Sequence, residues 1–130
     1  MDFSYSILPE ENLVINTIIG PFDMDGYYTI METILNDERF KPSMSMFWDF
    51  RKSTLSALST QDTDKIRNYI ETNRERRGDN YRVVFLVNKT VDYGISRMYQ
   101  IVSEDLPVSF QVFYDEEKAF NWIRNKTGIE

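Results

Sequence analysis

Asp49 and Arg51 close the apolar run 44–50, and Tyr93, Gly94 and Arg97 open a later helical stretch. Brought to one edge, these five residues supply a carboxylate, a guanidinium, a phenol and free helix N-terminal amides, a set able to bind a small anion. Gly94 weakens a helix by about 1 kcal/mol relative to alanine, a cost that a closely packed neighbour would explain. A simpler arrangement spends the same residues on structure: Asp49 pairs with Arg51 or Arg97 to satisfy a strand end, and Tyr93 stacks on Arg97 four residues later. Buried charges are ordinarily paired in this way, so the polar cluster is the expected outcome. Catalysis has little to work with, because the chain contains no histidine and Asp49 has no second carboxylate at a working spacing. No catalytic residue is assigned, and the protein is expected not to be an enzyme.

Ser53, Ser56, Ser59 and Thr60 form a hydroxyl-rich loop after that run, with Ser56 and Ser59 as its candidate phosphorylation sites. A serine or threonine just ahead of a helical pattern most often caps the helix, which is worth about 1 kcal/mol. Asp62 or Thr63 stands at the reciprocal capping distance. Cysteine is absent, which removes disulfides and thiolate chemistry. Asp23, Asp25 and 115–117 sit where helix N-termini favour negative charge, and their spacing matches no EF-hand, so neither a metal nor a cofactor is expected. A formal net charge of -6 opposes binding to a polyphosphate backbone, so nucleic acid is not an expected partner. Arg74, Arg76 and Arg77 make the one basic cluster; they end a predicted helix, where cations complement the dipole and stay solvated.

The elements that position these residues follow from periodicity. At 130 residues the chain has the length of one domain, 1–130. Two β-rich runs, 3–8 and 13–19, flank Pro9, Glu10, Glu11 and Asn12 and predict a hairpin. Asp23 caps a helix whose Tyr27, Ile30, Met31, Ile34 and Leu35 recur at three- and four-residue spacing. The run 44–50 predicts a strand with Met44, Met46, Trp48 and Phe50 on one face. A second helix runs from Ser59 or Thr60 through Ile66, Tyr69 and Ile70 to the arginines, with Gly78 as its stop. Residues 81–87 read as a central strand, and Val91, Ile95, Met98 and Val102 as the buried face of the next helix. A strand at 108–113 and a helix packing through Ala119, Phe120 and Ile123, finished by Arg124, Lys126 and Gly128, complete the order ββαβαβαβα. Four strand–helix units imply an α/β fold with a mixed five-stranded sheet, parallel through right-handed crossovers except for the hairpin strand. The N-terminal "MDFSYSILPEEN" has no leader pattern, and no stretch approaches the ~20 apolar residues needed to span a bilayer; a cytoplasmic protein without a membrane span is expected.

The element order, the third strand's "WDFR", the segment "YGISRMYQ" at 93–100 and the ending "VFYDEEKAFNWI" at 112–123 resemble the SpoIIAA-like branch of STAS-type domains over essentially the whole chain. The resemblance implies strands in sequential order with helices mainly on one face. STAS-type domains act chiefly as regulatory protein-binding modules, and the similar branch is compared with CRAL-TRIO lipid-binding domains. The Asp-Ser-Ser-Gly phosphorylation motif of STAS anti-sigma-factor antagonists is missing from "LSALSTQD". The leading expectation is a non-catalytic regulatory or protein-binding module, its partner another protein or a second copy. The alternative is a binder or carrier of a small apolar or lipid-like ligand, with Tyr27, Tyr28, Met31, Met44, Met46, Trp48, Met98 and Tyr99 as candidate lining; the same residues fall on stripes expected to form the core. A homodimer is expected from the edge strands 3–8 and 108–113, which carry no lysine, internal proline or other charge to discourage pairing.

Overall fold

The computed structural model describes residues 1–102 and 104–125, with side chains save those at 101 and 102. Five strands, β1 (Asp2–Leu8), β2 (Leu13–Pro21), β3 (Ser45–Thr54), β4 (Tyr81–Leu86) and β5 (Val108–Phe113), form one sheet in the order β1-β2-β3-β4-β5. The β1–β2 pair is antiparallel and the other three are parallel. The hairpin turns through a short 3-10 segment at Pro9–Glu11 and through Asn12, whose φ of 54° is the left-handed conformation asparagine tolerates. Helices α1 (Met24–Leu35), α2 (Thr60–Thr72), α3 (Arg74–Arg77), α4 (Thr90–Val102) and α5 (Glu116–Arg124) follow the strands as anticipated, except that Asn73 separates α2 from the single turn of α3.

Polar residues set the helix starts. Gly26 N donates to Asp23 Oδ1 at 2.8 Å, Ser59 N to Asp62 Oδ2 at 2.8 Å within a capping box, and Lys118 N to Asp115 Oδ1 at 3.0 Å. The sheet separates two cores. The larger joins Val14, Ile18, Met46, Trp48, Phe50 and Phe85 to α1, α2 and α4; the smaller joins Leu13, Phe47, Val84 and Leu86 to α5. The long helices thus lie mainly on one face, and α5 alone covers part of the other.

Several boundaries and faces differ from expectation. β3 runs on through Arg51, Lys52, Ser53 and Thr54, past a register shift against Thr17 and Ile19 of β2, because the neighbouring strand pairs that far despite the charged residues. The buried stripe of α4 is Asp92, Ser96 and Tyr99, while Val91 is 57% exposed. Asp92 turns inward because its Oδ1 accepts from Leu55 N at 3.0 Å, tying the helix to the loop after β3. The side chain of Val102, and residues Lys126 and Gly128, lie outside the described residues.

Candidate functional site

The five residues of the expected polar cluster do not meet. Asp49 and Arg51 lie within β3 on the α5 face, where Arg51 grips the carboxylate through Nε (3.0 Å) and Nη2 (2.8 Å) and its Nη1 reaches Glu116 Oε1 at 3.0 Å. Burial pushes the Asp49 carboxyl up, but the side-chain and backbone hydrogen bonds from Arg51 outweigh it, and the net shift is downward. Asp49 therefore pairs with Arg51 as the structural reading held, though inside a strand and not at its end. Tyr93 stacks on Tyr114, ring centroids 4.8 Å apart, and not on Arg97. Arg97 is exposed and donates to Gln100 Oε1 at 2.9 Å. Gly94 is exposed, and a Cβ built there meets nothing within 4 Å, so no close neighbour explains it. Ser56 is exposed on its loop, and Ser59 is the α2 cap.

A different place in the molecule holds unspent chemistry. Between α2, α4 and the strands β3, β4 and β5 lies a cavity of about 70 Å³, several times the ~10–15 Å³ that one water needs. Its walls are apolar for the most part, with Phe22, Trp48, Leu58, Ile66, Phe85 and Phe110 among them, so the alternative reading's Tyr27, Met31, Met46, Trp48 and Tyr99 do line a space. Tyr28, Met44 and Met98 do not. The row Phe50, Phe85, Phe110, edge-to-face at 4.8 and 4.7 Å, floors this side of the sheet.

Six polar side chains share that wall: Tyr27, Thr63, Arg67, Arg77, Tyr81 and Tyr99, and three of them, Arg77, Tyr81 and Tyr99, hold buried polar atoms without a partner among the described residues. The expectation that the arginine cluster is solvated holds for Arg74, paired with Asp79 at 2.8 Å, and for Arg76, paired with Glu32 at 3.2 Å. It fails for Arg77, which is 2% exposed. Gly78 is the reason. Its φ of +90° and ψ of -173° are open only to glycine, and a Cβ there would lie 2.2 Å from Ser43 N. Ser43 N donates to Arg77 O at 2.7 Å, so this turn fastens the backbone and leaves the side chain directed inward. Arg77 Nη1 donates to Met44 O at 2.6 Å, and the guanidinium lies 3.4 Å above the Tyr81 ring and 5.8 Å from that of Phe40.

Among the described residues, Nη2 of Arg77 and the hydroxyls of Tyr81 and Tyr99 are buried without a hydrogen-bond partner. Among the described residues no carboxylate pairs with Arg77, and desolvation pushes its pKa down. Burial likewise raises the Tyr81 and Tyr99 hydroxyls, which keeps both phenols protonated and able to donate. Sequence reasoning missed Arg77 because an arginine among arginines at a helix end is ordinarily exposed; the one signal was the adjacent glycine, read as a stop and not as a tight contact. Among the described residues no group of three or more acidic, histidine or cysteine side chains is placed to hold a metal, and no helix is long and apolar enough to cross a membrane.

The fold is SpoIIAA-like. The chain matches the crystal structure of an uncharacterised protein of the DUF3478 family with a SpoIIAA-like fold from Shewanella loihica PV-4, with a TM-score of 0.56, 15% identity and 93% of each chain covered. No family profile matches the chain, and no curated protein does.

Proposed function

We propose that the protein is a non-catalytic module that binds a small, largely apolar molecule in the cavity between α2, α4 and the sheet. The observation that supports this reading is the pairing of a largely apolar, roughly 70 Å³ space with buried donors that have no partner among the described residues; native interiors rarely leave such groups unused. Val83 lines the cavity from β4, so Val83→Phe fills it. Native mass spectrometry of freshly purified protein is expected to show a retained small molecule that Val83→Phe lacks. Thermal shifts with compact apolar alcohols should raise the melting temperature of the wild type alone. Equal shifts in both proteins, with no retained mass, would overturn the reading.

The protein-binding reading, with a second copy as partner, is favoured by one observation: β1 and β5 are the sheet's edge strands and each has an unpaired side. Sedimentation at tens of micromolar tests it. A dimer that Ser109→Lys, at an exposed position of β5, dissociates supports it, and a monomer at every concentration removes it.

A further inference from the structure

We infer that the molecule held in this cavity is a small carboxylate, its anionic end on Arg77 Nη2 and the Tyr81 hydroxyl and its apolar part against Phe22, Trp48 and Leu58. The inference rests on the ligand-binding reading above and names the class of ligand. A buried guanidinium is usually matched by a carboxylate of the protein, since an unpaired charge in a dry interior is costly. Arg77 has none among the described residues, and what surrounds it is a carbonyl and two aromatic rings. Those contacts hold the guanidinium plane still, occupy Nη1 and leave Nη2 for something else. Tyr81 is the first residue of β4 and Arg77 the last of α3, so both stand at the end of the cavity where the parallel strands begin. Leu58 and Phe22 lie near the opposite end, after β3 and β2. The Arg77 end thus offers donors without a partner among the described residues, while Thr63 and Arg67 farther along the wall spend theirs on Thr60 O and Asp105.

Charge and size narrow the class. Of the two guanidiniums that line the cavity, Arg67 is paired with Asp105, so the charge of Arg77 alone is left to balance a monoanion; a phosphate dianion would bring a second charge with nothing to meet it. The volume of about 70 Å³ is about half the ~150 Å³ of an apolar cavity that admits benzene, which favours an apolar part of a few carbons. Ile70 and Leu106 line both this cavity and a second, more polar pocket of about 220 Å³ that Arg74 and Asp105 help to form, so the two spaces adjoin at these side chains.

The test is a ¹H–¹⁵N titration of the protein with three probes of one skeleton: 3-methylbutanoate, 3-methylbutanamide and 3-methylbutan-1-ol. The carboxylate is expected to perturb amides around the cavity and to bind at least about tenfold more tightly than the amide, as a charge-assisted bond in a desolvated site would give. Tyr81→Phe, which removes only a hydroxyl, should weaken the carboxylate several-fold and leave the alcohol unchanged. Arg77→Met should abolish the preference for the carboxylate; if that variant does not fold, Tyr81→Phe carries the test. Equal affinity for carboxylate and amide, both perturbing the cavity, would overturn the anion inference while the ligand-binding reading stands. Perturbation confined to the surface around Arg74 and Arg76, or none with any probe, would overturn both.

Discussion

Beneath α5 the sheet is closed: Phe47 stacks on Phe120 with ring centroids 4.1 Å apart, and the arginines at that face are engaged. Arg51 holds Asp49 and Glu116, Arg124 reaches Glu11 at 2.7 Å, and Arg82 donates to Trp122 O and lies over its ring. Beneath α1, α2 and α4 the packing is looser in chemistry. Among the described residues, the buried side-chain atoms without a hydrogen-bond partner belong to Asn16, Arg77, Tyr81, Asp92 and Tyr99, all on that side, and the cavity lies there too. A face that satisfies its buried polar atoms fits a role in stability, and a face that leaves several waiting beside a space fits the binding role proposed for it.

Truncation should expose the difference first. Phe47→Ala, on the closed face, is expected to cost about 3–5 kcal/mol in denaturant unfolding, and Leu58→Ala only about 2 kcal/mol, because a side chain that already borders a void gives up fewer contacts. A Leu58→Ala cost as large as that of Phe47→Ala would break the contrast. Next, Gly78→Ala forces a side chain into a glycine-only conformation against Ser43, and should destabilise by about 2–4 kcal/mol while releasing Arg77 from the wall. Retained stability would mean that the turn does not position Arg77.

Gly94→Ala should do the reverse. With open space at the Cβ position, the helix gains about 1 kcal/mol, and a loss instead would reveal a contact at that site. The smallest effect belongs to the closed face. The Asp49 carboxyl titrates lower in the folded protein than in the unfolded chain, so its contribution is present above the usual carboxylate range and disappears as pH falls through its folded value. Asp49→Asn should therefore be less stable than wild type by no more than about 1 kcal/mol at pH 7, given the pair's partial exposure. That gap should close in acid, and a gap that widens there would contradict the pairing.

Much of the scaffold was legible because it rests on local rules. The hairpin at 9–12, the caps Asp23, Ser59 with Asp62, and Asp115, and the alternation of Met46, Trp48 and Phe50 each depend on neighbours in sequence. The sequential sheet order was expected from the strand–helix alternation together with the resemblance to SpoIIAA-like domains, and it is the order observed. The site was less legible. Asp49 with Arg51 could be paired on paper, but Tyr93 and Arg97 were joined to them only on the assumption that they met at one edge, and the sheet separates α4 from that face. Polar Asp92 and Ser96 broke the apolar stripe that a period argument looks for, although Asp92 turns inward to bond a backbone amide 37 residues away. Arg77 was hidden for the same reason: its burial depends on Ser43 and Met44, which no spacing around residue 77 reveals.

The two tryptophans offer the most direct test, since Trp48 lines the cavity and Trp122 belongs to α5 on the other face. In a titration with 3-methylbutanoate followed through their indole N–H resonances, the Trp48 signal is expected to shift saturably while that of Trp122 stays fixed. A shift of Trp122 with Trp48 unmoved would contradict the assignment of binding to the α1, α2 and α4 side of the sheet.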